Sequence, residues 1–446
     1  MTELKQYRIK AGTAAELVRG IEAGVASGAL VPGQRLPSVR RLAAEVGLSP
    51  VTVAAGIAEL RRRGVVLSEP RRGTRIGQHP PVGSPRAPLR VPPGARDLSR
   101  GNPDPALLPD LARALDRYKL PAPLYGEPQA LPALIELARE QLRADGVPGE
   151  DLCIVSGAMD AIERVLQAHL RPGDRVAVEN PGYAALYDLL RVHGFVLEPV
   201  AVDDRGMLAD ELRDAFARGA VATVLTPRGQ NPTGAALDAE RVRELRDVLD
   251  EFPSALLIED DHLGPVAGSE LHTLLSIAAK PERWAATRSV AKALGPDLRL
   301  AVLAGDAHTI ARVQGRQQCG PGWVSQILQT LVLGLWSDPA VHELVAEASK
   351  IYTTRREHLL ACLAHEGVRA HGASGLNVWI PVHEEAAIVG ALMQQGWVLA
   401  PGAPYRLPGA QPGVRVTTAT LTEGEATRLA RDIAEVLAPR AFSRSG

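Results

Sequence analysis

Thr287-Arg288-Ser289-Val290-Ala291-Lys292-Ala293-Leu294-Gly295-Pro296-Asp297-Leu298-Arg299 places one lysine between a hydroxyl three residues before it and an arginine seven residues after it, with Gly-Pro breaking the chain between them. A lysine amine can form a Schiff base with an aldehyde, and a hydroxyl with a planar, two-pronged guanidinium suits phosphate oxygens. The grouping fits a phosphorylated aldehyde, pyridoxal 5'-phosphate (PLP), with Lys292 as covalent partner and Ser289 and Arg299 on the phosphate. A lone lysine beside a proline is ordinarily a solvated surface residue, so the reading depends on what stands upstream.

Upstream, motifs of matching chemistry follow a series of short apolar segments. Ile154-Val155 leads into Ser156-Gly157-Ala158-Met159, a small-residue turn entering a helix, where backbone N–H groups can hold a phosphate. Val176-Ala177-Val178 precedes Asn180-Pro181-Gly182-Tyr183, whose ring can lie on a pyridine face. Residues 222–225 precede Gln230-Asn231-Pro232-Thr233-Gly234, which offers a side-chain amide to a phenolic oxygen. Residues 255–258 lead into Glu259-Asp260-Asp261-His262, where a carboxylate can keep a pyridine nitrogen protonated and make the ring an electron sink. Helices over 131–142, 159–170 and 184–192, with further strands near 196–197, 285–287 and 300–303, complete the alternation. It predicts an α/β body with a mainly parallel sheet and its site at the strand ends. From about Asp338 a long helical stretch leads to a smaller α+β piece.

The N-terminal 77 residues read differently. Leu17, Val18, Ile21 and Val25 recur at helical spacing, Ser38 opens a short amphipathic stretch that Gly47 ends, and Ser49-Pro50 starts a helix running to Arg63. Val65-Val66-Leu67, a basic turn at Pro70-Arg71-Arg72-Gly73, and Thr74-Arg75-Ile76 then form a hairpin, so the pattern is a winged helix-turn-helix. Gly56 is expected to cost an exposed helix up to ~1 kcal/mol relative to alanine. Arg61-Arg62-Arg63 is either a solvated helix end or a phosphate contact. Residues 1–77 carry 13 Lys+Arg against 6 Asp+Glu, a net +7, which leaves −8 on the rest of a chain whose formal charge is −1. A basic head on an acidic body points to a polyanionic partner for the head alone.

Residues 78–97 contain six prolines and little apolar periodicity and read as a semi-extended linker. At 446 residues the chain should hold two or three compact units. Cys153, Cys319 and Cys362 form no C-x-x-C pair and indicate neither a disulfide framework nor a metal site. There is no signal core and no run approaching the ~20 apolar residues of a membrane span, so a cytoplasmic, nucleoid-associated protein without membrane contact is expected.

The residues from Pro32-Gly33-Gln34-Arg35-Leu36-Pro37-Ser38-Val39-Arg40-Arg41-Leu42-Ala43 through Leu48-Ser49, Thr52-Val53 and Arg72-Gly73-Thr74 resemble the DNA-binding head of GntR-type bacterial transcription regulators over about residues 11–77. That resemblance implies a double-stranded DNA operator touched by Arg40, Ser49, Thr52, Gly73 and Thr74. Pro50 stands where arginine is frequent and Gly56-Ile57 where Ala-Tyr is usual, so the base preference does not carry over. Residues 98–446 resemble fold-type I PLP enzymes of the aspartate aminotransferase class, with a large part at about 151–336 and a small part from 98–150 and 337–446. The fusion is similar to the MocR group of regulators, including its PtsJ-like members.

The resemblance implies a homodimer in which Lys292 bonds the cofactor aldehyde, Asp260 pairs with the ring nitrogen, Asn231 bonds the ring oxygen and Tyr183 stacks. His262 would lie near that oxygen, and Ser156, Gly157, Ala158, Ser289 and Arg299 would hold the phosphate. Arg415, in Gly413-Val414-Arg415-Val416-Thr417, would take the carboxylate of an amino-acid effector. His262 replaces a more usual tyrosine, and Ala291 a hydroxyl residue. The expectation is a DNA-binding regulator whose body binds PLP as effector or as the cofactor that senses an amine. The alternatives are a working aminotransferase carrying a DNA-binding head, or a body kept only for dimerisation.

Overall fold

A computed structural model describes residues 11–62, 65–69, 73–77, 89–117, 119, 122–276 and 281–438. Arg63, the basic hairpin tip at 70–72 and most of the proline-rich segment lie outside the described residues. The chain separates into two compact units, the second beginning its body at Leu89.

In the head, helices Ala14–Ala26, Val39–Val46 and Pro50–Arg62 are followed by the antiparallel strands Val66–Glu69 and Gly73–Ile76. Each boundary has a local cause. The Thr13 and Ser38 side chains accept from the backbone N–H groups of Glu16 and Arg41, and Gly47 ends the second helix at φ 71°. Leu17, Ile21, Leu30, Leu42, Val53, Leu60, Val66 and Ile76 close the core, each worth about 1.5–3 kcal/mol of burial. Gly56 is not exposed, contrary to the sequence expectation. A β-carbon there would stand 3.1 Å from Leu17 Cδ2 and 3.4 Å from the Ala14 carbonyl oxygen, so the missing side chain lets two helices approach.

The body is built on an eight-stranded sheet in the order Leu152–Val155, Ala301–Gly305, Arg283–Ser289, Leu256–Asp261, Ala220–Leu225, Arg175–Asn180, Val196–Asp203, Gly206–Met207. Strand 256–261 runs parallel to both its neighbours, whereas 301–305 is antiparallel to the strands on either side. Helices Ala158–His169, Ala184–Val192, Ala209–Ala217, Ala239–Glu251 and Ala307–Gln318 are interleaved with these strands in the chain. A second core surrounds the sheet Asn377–Pro381, Gly413–Thr417, Ala400–Pro401 and includes Val378, Ile380, Val414, Val416, Leu429 and Ile433.

Two boundaries differ from the sequence reading. Arg96–Asp97, read as linker, pairs in parallel with Trp397–Val398, and Arg96 bonds Glu425 at 2.9 Å, so the body already includes these residues. Helix Pro132–Ala144, read with the small part, buries Leu134, Ala138 and Leu142 in the core of the large sheet. Helix Pro339–His365 serves both cores, with Val341, Val345 and Tyr352 in the large one and Leu359 and Leu363 in the small one. Among the described residues no single helix is long and apolar enough to cross a membrane.

Candidate functional site

The segment after strand Arg283–Ser289 is pinned by the buried side chains of Val290, Ala293, Leu294 and Leu298. That leaves Lys292 to line a cavity of about 320 Å³ at the carboxyl ends of the strands. Gly295 (φ 135°) opens a short turn at Pro296–Leu298, and Arg299 follows at φ 43°, the one described non-glycine residue with positive φ. Gly157, Ala158, Tyr183, Asn231, Asp260, His262, Ser289, Arg299 and Arg415 line the same cavity. Gly157 sits at φ 98°, and a β-carbon there would meet the Arg299 guanidinium at 3.3 Å. Glycine is what admits the arginine at the start of helix Ala158–His169.

Ser156 is the exception. It is absent from the lining, and its backbone N–H donates to Asp160 Oδ2 at 3.0 Å. The helix's own carboxylate has taken the donor that the sequence reading reserved for phosphate.

Strand alternation decides which of three consecutive carboxylates faces the cavity. Glu259 accepts from Thr273 Oγ1 at 2.6 Å and Leu274 N at 2.7 Å. Asp261 takes Arg228 in a two-pronged pair at 3.0 and 2.9 Å and Arg288 at 3.2 Å; Arg288 reaches on to Asp145 at 2.6 Å. Burial alone would raise the Asp261 carboxyl, but Arg288 and Arg228 hold it below the usual range. Asp260 points the other way. Its Oδ1 is buried without a hydrogen-bond partner, and burial, then the negative Asp261 and Glu179, push its pKa up to about 7.

Lys292 Nζ donates to the Gly101 carbonyl at 2.5 Å. Burial, then the nearby Arg415 charge, brings its pKa down to about 8. Burial and the Lys292 charge lower His262 to about 4, so the imidazole is neutral at physiological pH. Arg415, on strand Gly413–Thr417, is 3 % exposed; Nη1 donates to Asn231 Oδ1 at 2.9 Å, Nη2 to the Ser99 carbonyl, and Nε has no partner. Its guanidinium lies 4.9 Å from the Tyr405 ring centroid. With the Asn231 oxygen so engaged, the amide nitrogen is the part of Asn231 that can donate to a ligand. Tyr183 stands at the wall of the cavity, 37 % exposed.

Gln230, fully buried, was not singled out from sequence as a tie between loops. Its amide donates to Glu179 at 3.2 Å and the Pro181 carbonyl at 2.9 Å, while its oxygen accepts from Thr233 N and Oγ1. It joins the Tyr183 loop to the Asn231 loop. Thr226, immediately after strand Ala220–Leu225, could have been found by the strand-end rule; Gly101, Asn377 and Tyr405 carry no motif.

In the head, Arg40 is exposed on helix Val39–Val46. Ser49 Oγ accepts from Thr52 N at 3.1 Å and lies 2.8 Å from Thr52 Oγ1, capping the third helix. Gly73 opens the second wing strand at φ 82°, beside the Arg35 guanidinium, and the Thr74 carbonyl accepts from Leu36 N at 2.8 Å.

Residues 13–76 match the bacterial regulatory proteins of the gntR family, and residues 96–433 match aminotransferase class I and II. The chain is 39% identical over 433 residues to the vitamin B6 salvage pathway transcriptional repressor PtsJ of Salmonella typhimurium, covering 95% of this chain and 98% of that protein. It is 30% identical over 400 residues to the HTH-type transcriptional regulator TauR of Rhodobacter capsulatus, covering 79% and 80% of the two. Among solved structures, an archaeal alanine:glyoxylate aminotransferase aligns at TM-score 0.70 and 21% identity over 77% of this chain and 90% of that one. The α-aminoadipate aminotransferase LysN of Thermus thermophilus aligns at TM-score 0.68 and 22% identity over 77% and 92%. These likenesses show the aminotransferase fold of the body. A winged DNA-binding head on such a body defines a class of regulator, and the chain belongs to the GntR family in its MocR form.

Proposed function

We propose that the chain is a vitamin-B6-responsive transcription regulator, a homodimer whose heads bind a double-stranded operator and whose body holds PLP as effector or as the cofactor that senses an amine. The observation that carries the reading is the partnerless Asp260 Oδ1, buried in the same cavity as a lysine of lowered pKa and the arginines Arg299 and Arg415. A buried carboxylate oxygen without a partner is costly, and a protonated pyridine nitrogen is a group that would relieve it. The name of the 39%-identical relative, a repressor of vitamin B6 salvage, supports the same ligand and repression as the mode of control.

In this reading Lys292 bonds the aldehyde carbon, Asp260 holds the ring nitrogen, Asn231 donates to the ring oxygen and Tyr183 covers a ring face. Gly157, Ala158, Ser289 and Arg299 take the phosphate; Arg415 takes the carboxylate of an amino-acid effector. When bound, PLP supplies an electrophilic carbon open to amines and a ring that withdraws electrons. The chain's own contribution is proton placement. Lys292 gives up its proton near pH 8 and becomes a nucleophile, and His262, held neutral by burial and the Lys292 charge, brings no second positive charge to the cavity.

Control of the heads requires that PLP, or an amine joined to it, bind one conformation of the body more tightly than another. About 1–3 kcal/mol of coupling changes operator affinity roughly 5–150-fold. Titrating an operator at fixed salt with PLP-free protein, PLP-loaded protein and Lys292→Ala should separate the first two by that factor and leave the variant unresponsive. Equal affinities throughout, with and without amines, reject sensing. The convergence of Lys292, Asp260 and Arg415 favours a second reading, an active aminotransferase with a DNA-binding head, which steady turnover between an amino donor and a keto acid would establish.

A further inference from the structure

The third helix of the head, Pro50–Arg62, buries Val53, Gly56, Ile57 and Leu60 and exposes Pro50, Val51, Ala54 and Ala55. At about 100° per residue, Val51 lies opposite the buried stripe, with Ala54, Ala55 and Ala58 continuing the outward face. Val51 is 80 % exposed, an unusual position for a β-branched apolar side chain on a helix assigned to a hydrophilic partner. Through the first two turns no charged or amide side chain stands on that face; Glu59 and Arg61 flank it only in the last turn. Proline at the first helical position removes one N–H, and the two hydroxyls at the helix start are engaged with each other: Ser49 Oγ caps Thr52 N and lies 2.8 Å from Thr52 Oγ1.

A helix whose first two turns carry only methyl groups on their outward face cannot read base edges chiefly by hydrogen bonds from those turns. In the major groove, the base feature that apolar side chains discriminate is the thymine C5-methyl group, which the other three bases lack. Exposed Arg35, Arg40 and Arg75 elsewhere on the head supply the positive charge for the phosphates. We propose that Val51, with Ala54 and Ala55 beside it, is a specificity-determining residue that reads thymine methyl groups, so that operator half-sites owe their sequence preference to methyl contacts more than to hydrogen bonds. The inference rests on the head being a DNA reader and adds how it reads.

The test uses the full chain. Duplexes selected from a random-sequence pool at fixed salt are resynthesised with deoxyuridine replacing thymidine one position at a time, which removes only the methyl group. Wild type should lose about fourfold in affinity at one or two positions per half-site, the ratio expected for one buried methyl. In Val51→Ser the same substitutions should cost nothing; with the side chain 80 % exposed, circular dichroism should show the fold retained. Equal affinity of wild type for thymine and uracil duplexes at every position overturns the inference, as does a thymine preference that survives in Val51→Ser. Failure to bind any duplex even at low salt would instead overturn the DNA-binding reading beneath it.

Discussion

The head and the body place their working groups in opposite surroundings. Arg40, Ser49 and Val51 are exposed on a small unit whose interior is apolar. Asp260 and Arg415 are buried, each with a polar atom lacking a partner, and Lys292 lines the same cavity. The difference follows from ligand size. A duplex is larger than the unit that reads it, so recognition rests on exposed side chains whose charges stay hydrated; a cofactor is smaller than its site, so recognition requires removing charges from water. The body's site is therefore costly until filled, and the head's is not.

The sharpest break of this contrast lies at Lys292. Borohydride reduction of PLP-loaded protein followed by peptide mapping should place the pyridoxyl label on Lys292, and Lys292→Ala should abolish it; a label on another lysine removes the assignment. Because its folded pKa is about 8, the neutral amine fraction falls about tenfold per pH unit below that value. The rate of PLP capture, followed by absorbance, should rise through pH 6 and 7 and level off above about 8.

Asp260→Asn is next in size. Loss of the only free carboxylate in the described cavity should weaken PLP by ~3 kcal/mol, about 100-fold. Without cofactor the same substitution should not destabilise the protein. Folded Asp260 keeps its proton up to about pH 7 while the unfolded chain releases it near 3.8. The folded state thus binds more protons between those values, and stability falls as pH rises across that window. In Asp260→Asn its share of that slope should be lost from thermal melts of the PLP-free protein, while the share of Glu179 and Glu259, likewise pushed up to about 7 by burial, remains. A melt that drops strongly at pH 7 would show that the carboxylate is structural.

On the head the expected effects are smaller because each exposed group is one of several. Arg40→Ala should weaken binding to all duplexes by ~1 kcal/mol and reduce the salt slope by about one, whereas Thr52→Ala should lower discrimination between sites. Salt titrations of each variant on two unrelated duplexes separate these outcomes.

The same contrast governs what was legible in the sequence. The head's motifs are contiguous, since a helix start and its cap are neighbours in the chain, and the boundaries at Ser38, Gly47 and Ser49-Pro50 follow from local capping chemistry. In the body, strand-end residues could be located because apolar runs announce them, and Asp260, Ser289 and Lys292 line the cavity. Interactions made across long sequence separations were invisible. Gly101 accepting from Lys292 and Gln230 tying two loops leave no pattern, and strand 301–305 runs against both neighbours without a local sign. Val51 was overlooked for the opposite reason. An apolar residue near a helix start reads as core unless the phase of the buried stripe is followed to its end.

Gly56 gives the smallest effect and the cleanest conflict between local and tertiary reasoning. By helix propensity alone, Gly56→Ala should stabilise the third helix by ~1 kcal/mol. The new β-carbon would stand 3.1 Å from Leu17 Cδ2 and 3.4 Å from the Ala14 carbonyl, and Leu17 is itself fully buried among the core residues of the first helix. Leu17 must shift by a few tenths of an ångström inside a packed core, and overpacking of that kind costs ~1–3 kcal/mol. The tertiary cost should prevail, leaving a net loss of about 1 kcal/mol. Calorimetry of the full chain should show the head's transition lowered by roughly 4–8 °C, with PLP capture by the body unchanged. A raised transition would mean that the two helices separate to admit the methyl group, and the glycine would then owe its place to something other than helix packing.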